Sequence, residues 1–259
     1  MARKARSGVT LRVLGCGDAF GSGGRSHTAF YLEAPKSTVM IDFGASALVS
    51  MHRFDIDPAT IDAVVLSHLH GDHFGGIPFL LLDAAFISRR KRPLVVLGPV
   101  GTAKRVRRTT ELLYPGFWHE AGEQTVRFLE HVDRRPCAVA GVSVTPYRVN
   151  HKSGAPAYAL RVVCEGRTIA YSGDTGWTDA LIEAASGSDV FFCEASSYEQ
   201  PIPYHLTYHT VCDHRERFGT ARLILTHMGA DMIARAGKLS IECAHDGQQI
   251  LLPPRRGRR

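Results

Sequence analysis

The stretch SHLHGDHFGG (67–76) places three histidines and an aspartate within six positions, His68 to His73, directly after the apolar run AVVL. Burying carboxylates and imidazoles without a counter-charge costs several kcal/mol, and a metal ion removes that cost. A chain carrying this stretch at the end of an apolar run must therefore fold so that a cation or opposite charges meet it. His68 and His70 stand two apart and point to the same side of an extended backbone. Gly71 permits a sharp turn that brings Asp72 and His73 round to a second position beside the first, and Gly75 and Gly76 let the backbone pass close to the site before a following helix. The pattern is not the i, i+4 pairing of a helical HExxH site.

Other apolar runs also finish on candidate ligands. VMIDFG leads to Asp42, PYRVNH to His151, IAYSGD to Asp174 and LILTH to His227. In α/β folds adjacent strand tips converge at one edge of the sheet, and sites assemble there. Taken singly, His151 or His227 reads as an ordinary hydrogen-bonded histidine. Grouped with 68–73, they read as a metal constellation.

The rest of the chain supplies the strands and helices this requires. Apolar and β-branched runs recur as TLRVLG, TAFYLEA, TVMIDF, DAVVLS, PLVVLG, VSVTPYRV, AYALRVV, TIAYSG, DVFFCEA and ARLILT. Helix-length segments at 74–90, 101–114, 178–185 and 208–218 alternate with them, as in a layered α/β protein. Each half opens with strands and later gains helices, which predicts a duplicated architecture. At 259 residues and 44% hydrophobic content the chain is expected to form one domain over 1–259, with flexible basic ends at 1–8 and 254–259. Those ends, ARKAR and RRGRR, hold much of the net charge of +6, which reads as solvated tails. No signal-peptide pattern and no membrane-spanning run is present, so a cytoplasmic protein with no membrane partner is expected. The six cysteines lack CxxC spacing and read as free thiols.

With these residues assembled, the chain resembles the metallo-β-lactamase fold superfamily, in its dinuclear phosphodiesterase and ribonuclease Z-like branch. HLHGDH is similar to that superfamily's HxHxDH motif, and IDFG (41–44) to its preceding aspartate motif. Asn150–His151, SGDT (172–175) and THM (226–228) resemble its third motif, bridging aspartate and last histidine. GCGDAFGSGGR (15–25), LGPVGT (97–102) and ECAHDG (242–247) match its glycine-rich opening, its GP turn and its usual ending. The resemblance implies an α/β four-layer αββα sandwich with two divalent metals at one edge. His68, His70 and His151 would bind the first, Asp72, His73 and His227 the second. Asp174 would bridge them together with a water or hydroxide, and Asp42 would lie behind the ligands, holding the histidine loop by hydrogen bonds. An aspartate in SGDT argues against a true β-lactamase. The short stretch after THM argues against a glyoxalase, and the lack of a long protruding arm against a transfer-RNA processing nuclease.

Two divalent cations, their carboxylates and a hydroxide leave a centre that is neutral to weakly positive, which suits a small anionic phosphodiester better than a neutral amide. The expected function is therefore a phosphodiesterase, with zinc the expected metal because histidines dominate the ligands, and manganese or iron as alternatives. A general acid for the leaving group is expected in CEASSYEQPIPYHLTYHT (193–210), where His205 is the first candidate and His209 the reserve; Asp72 is the other candidate catalytic residue. Alternatives are a ribonuclease Z-like nuclease acting on RNA, a lactone or thioester hydrolase, and a nucleic-acid-binding module whose metals only stabilise the fold. Arg25, His27, His245 and the basic stretch KRVRR (104–108) read as surface residues. Oligomeric state is not fixed by the sequence; a homodimer is compatible with it.

Overall fold

Strands dominate the computed structural model, which describes residues 8–122 and 125–254; ARKAR and RRGRR, expected to be flexible, lie outside the described residues. The ten apolar runs form β1 (Val9–Gly15), β2 (Ala29–Glu33), β3 (Thr38–Ile41), β4 (Ala63–Val65), β5 (Leu94–Gly98), β8 (Val142–Arg148), β9 (Tyr158–Cys164), β10 (Arg167–Tyr171), β11 (Val190–Glu194) and β12 (Leu223–Thr226). Four further strands join them: β6 (Val126–Glu130), β7 (Cys137–Val139), β13 (Glu242–Cys243) and β14 (Gln249–Leu252).

The strands form two seven-stranded sheets, ordered β14-β1-β2-β3-β4-β5-β6 and β13-β12-β11-β10-β9-β8-β7. In the first, β14 to β3 pair antiparallel and β3 to β6 parallel. The second repeats this, antiparallel from β7 to β10 and parallel from β10 to β13. The expected duplication is thus visible as a repeated pairing pattern, completed in the first sheet by β14 from the far end of the chain.

The sheets face each other across one apolar core. Val13, Phe30, Val39 and Ile41 from the first meet Val144, Leu160, Tyr171 and Phe192 from the second. The Phe30 ring lies 4.6 Å from Phe192 and 5.2 Å from Tyr171. Helices cover both outer faces. Met51, Ile77, Leu80 and Val106 pack on Met40, Val64 and Val96; Leu181, Val211 and Met232 pack on Phe191, Cys193 and Leu225. This is the expected αββα sandwich, and full burial of each large apolar side chain contributes about 1.5–3 kcal/mol to it.

The segment 74–90 is not one helix. Short helices Gly71–Phe74 and Ile77–Leu82 are separated by Gly75 and Gly76, and a π-helical turn follows at Asp83–Ile87, where Ser88 N–H reaches back to Asp83 O (2.9 Å). The other segments hold helices at Thr102–Leu113, Ala180–Ala185 and Tyr208–His214. All six cysteines are free, and among the described residues no helix is long and apolar enough to cross a membrane.

The pairing directions also locate the site. β1, β3 and β4 run one way in the first sheet, and β8, β10, β11 and β12 run together in the second, so their carboxyl ends emerge in two groups. Side-chain contacts between His73, after β4, and Asp174, after β10, show that the two groups share one edge.

Candidate metal centre

The histidine loop leaves β4 extended as far as His70, and Gly71 opens the short helix that carries Asp72 and His73. The sharp turn needs nothing special of Gly71: it has no positive φ, and a Cβ there would meet open space. The glycines that matter sterically are Gly44, where a Cβ would stand 2.2 Å from Asp72 O, and Gly76, where it would stand 2.3 Å from Gly44 O. They press the Asp42 turn against the histidine helix.

Asp42, fully buried, sits in the left-handed region at φ 55° and fastens the loop. Its carboxylate accepts from Ser67 N and Ser67 Oγ, each at 2.7 Å, and lies 2.7 Å from His73 Nδ1. With Nδ1 so engaged, His73 turns Nε2 to the carboxylates of Asp72 and Asp174. His68 is set the same way, its Nδ1 3.0 Å from Ser67 Oγ.

The structure brings the residues singled out above into two groups that share Asp174. His68, His70, His151 and Asp174 form one; Asp72, His73, Asp174 and His227 form the other, and within each group the candidate ligand atoms lie within 4.8 Å of one another. Asp174 Oδ2 is 3.3 Å from both His73 Nε2 and His227 Nε2, 3.7 Å from His68 Nε2 and 3.9 Å from His151 Nε2. His70 Nδ1 and His151 Nε2 approach to 3.0 Å, and Asp72 Oδ2 stands 3.2 Å from the Nε2 atoms of His73 and His227.

Two observations fit this donor set to divalent cations. His68 Nε2 and Asp174 Oδ1 are buried without a hydrogen-bond partner, a costly arrangement that coordination relieves. The protonation equilibria agree. Burial, with neighbouring imidazoles, holds His68 and His70 low, and burial does the same for His151, in the neutral form that binds metal. Burial also opposes charge on His73 and His227, yet Asp174 and Asp72 outweigh it, driving His73 well up and His227 to about 9. The carboxylates call for positive charge in a buried place, which divalent cations would supply.

His205, lining the same cavity, lies 5.1 Å from the His151 ring and 5.5 Å from the His227 ring. Its Nδ1 is 3.1 Å from both carboxylate oxygens of fully buried Glu194 and 3.1 Å from Ser196 Oγ. Burial lowers its pKa, but the hydrogen bond and charge of Glu194 outweigh burial and the net direction is up. His209, expected as the reserve acid, instead lies exposed on helix Tyr208–His214 with its ring 4.8 Å from Tyr198, and does not line the cavity. The reason is the helix that begins at Tyr208: Tyr208 and Val211 carry its buried face, and His209, next after Tyr208, falls on the outward one.

Glu194 and Ser196 went unread in the sequence, although Glu194 ends an apolar run, VFFCE, as the other candidates do. KRVRR is also more than a surface stretch. Arg105 turns inward and donates to Leu69 O (2.9 Å) and Ser153 O (3.0 Å), tying the histidine loop to the loop after His151. Arg25 donates to Ala244 O (2.8 Å), away from the cavity. The cavity itself, about 540 Å³, is lined by Asp18, Phe20, His70, Asp72, Asp174, Ser196, Ile202, His205 and His227 among others. Another of about 520 Å³, lined by Ala84, Arg90, Trp118 and His119 among others, holds none of the strand-tip residues.

The fold places the chain among the proteins of the metallo-β-lactamase fold. The metallo-β-lactamase fold protein YhfI of Bacillus subtilis superposes with a TM-score of 0.78 at 18% identity, covering 95% of this chain and 100% of that one. A ribonuclease Z of Methanosarcina acetivorans is 26% identical over 273 residues, spanning 86% of this chain and 88% of the relative. Within that class the chain belongs to the anti-Pycsar protein Apyc1 family, which matches residues 9–244. An uncharacterized protein of Mycobacterium tuberculosis is 32% identical over 232 residues, covering 85% of this chain and 81% of that protein.

Proposed function

We propose that this protein hydrolyses a small phosphodiester at a pair of divalent cations, most simply zinc, held by His68, His70, His151 and Asp174 on one side and by Asp72, His73, Asp174 and His227 on the other. The observation that carries the proposal is the sharing of one buried carboxylate, Asp174, by both ligand groups. Divalent cations bound there would supply Lewis acidity, easing loss of a proton from water at neutral pH and offsetting charge on the phosphoryl oxygens.

The chain's own residues do the rest. Asp42 keeps His73 Nε2 aimed at Asp174 by holding its Nδ1, and Ser67 does the same for His68. In its charged form His205 keeps its Nδ1 proton on Glu194 and gives its Nε2 proton to the departing alkoxide, becoming neutral. Glu194 stabilises the charged imidazole until that transfer.

The test is turnover of the metal-loaded protein on bis(4-nitrophenyl) phosphate, an alkyl aryl diester, a lactone and a short RNA. Asp174→Ala is expected to lose both bound metal and activity. His205→Ala keeps its metal and slows by on the order of a hundredfold, most on esters with poor leaving groups. Lactone turnover without diester turnover would overturn the reading, and equal rates for His205→Ala and parent would remove His205 from its role. Cleavage of the RNA alone would favour the nuclease reading, which the similarity to ribonuclease Z supports.

A further inference from the structure

Phe20 is 91% exposed, the most exposed large apolar side chain among the described residues. It lines the cavity whose floor carries His70, Asp72, Asp174, His205 and His227. Nothing about its loop is loose. The carboxylate of Asp18, itself 5% exposed, accepts from Phe20 N (3.1 Å), Ser22 N (2.9 Å) and Ser22 Oγ (2.7 Å). Asp18 O accepts from Gly21 N, and Gly21, Gly23 and Gly24 take left-handed conformations that close the turn. Gly23 leaves room for the side chain of Ile233, which a Cβ would meet at 3.2 Å. The backbone that carries the ring is thus fixed, and the ring stands in water at the rim of the floor that holds the candidate metal ligands. Ile202, 43% exposed, and Ala230 line the same cavity, adding to its apolar wall. Exposing an apolar ring on a preordered loop is unfavourable unless something covers it, and the described chain does not.

We infer that Phe20 is a specificity-determining residue that stacks on a flat aromatic ring carried by the phosphodiester, so that one of the substrate's ester groups bears an aromatic ring. Offset stacking on Phe20 leaves the phosphoryl group over the polar floor while the ring takes the apolar rim. The inference rests on the phosphodiester reading above and adds the chemical class of the group attached.

Binding tests it independently of turnover. Calorimetric titration of the zinc-loaded protein with phenylphosphonate, cyclohexylphosphonate and methylphosphonate is expected to show phenylphosphonate bound on the order of tenfold more tightly than methylphosphonate. The preference collapses in Phe20→Ala and survives in Phe20→Trp, while methylphosphonate affinity is unchanged in both. Adenosine 5′-phosphate against ribose 5-phosphate then separates a nucleobase from a simple aryl group as the source of the ring. A phenyl preference as large in Phe20→Ala as in the parent would overturn the role of Phe20. Cyclohexylphosphonate binding as tightly as phenylphosphonate would overturn stacking. If no phosphonate binds and the diesters are not turned over, the phosphodiester reading fails and takes this inference with it.

Discussion

Asp42 accepts a backbone conformation that costs a non-glycine residue about 1–3 kcal/mol, and it does so at φ 55° with three hydrogen-bonding contacts in return. Asparagine tolerates the same conformation but lacks the charge that holds His73, so Asp42→Asn separates the two roles. It is expected to keep the fold while weakening metal binding by roughly 10- to 100-fold, read by competition with a chromogenic chelator. Unchanged affinity would show that the imidazole is aimed by packing alone. His131 makes a different kind of statement. It is 3% exposed and its Nε2–H donates to Leu66 O (2.9 Å). Burial pushes its pKa down to about 4, with the bond to Leu66 acting weakly the other way. The unfolded chain, near 6.5, therefore takes up the proton first. The stability this group contributes is present above pH 6.5 and lost as pH falls toward 4, by up to roughly 3 kcal/mol. Urea unfolding at pH 7 and pH 5 should show a smaller acid loss in His131→Gln than in the parent, since contributions from other groups are common to both.

The strands visible as apolar runs are the inner ones. Thr38–Ile41 and Val190–Glu194 are buried at every position because both faces of each sheet are covered. The four unread strands, β6, β7, β13 and β14, are the four sheet edges, and each alternates or is largely exposed. Edge strands are short and carry charges that discourage further pairing, as Arg127 and Glu130 do in β6, so they lack the apolar signature. Helix Thr102–Leu113 hid its role for the opposite reason: Arg105 looks like one more surface cation until the fold lays two loops beside it. Glycines around the histidine helix give a sharp contrast. Gly76→Ala drives a Cβ to 2.3 Å from Gly44 O and 2.7 Å from Phe43 Cδ1, and should cost about 1–3 kcal/mol. Gly71→Ala meets nothing within 4 Å in a helical position and should be neutral or stabilising by up to about 1 kcal/mol. Thermal melts of the pair check this, and equal losses would contradict the geometry.

At the scale of the whole molecule, cations bound at this edge would link the two sheets, because the candidate ligands come from β4 in one and from β8, β10 and β12 in the other. Ligand binding to the folded state alone stabilises it by about 4 kcal/mol at a thousandfold excess over Kd. Stripping the protein with a chelator is therefore expected to lower the melting temperature, and zinc to restore it in the parent but not in Asp174→Ala; an unchanged melt after verified metal removal would show that the cations do not staple the sheets. The sequence by itself determined the layered class and the candidate ligands, since inner strands are largely apolar and five of them lead directly to residues too polar to bury alone. Only the tertiary structure decided that Glu194 rather than solvent holds His205, that Arg105 ties two loops together, that His209 faces away and that Phe20 stands at the rim. Those are distances between residues remote in the chain, set by how two sheets pack, and a local pattern of side chains carries no record of them.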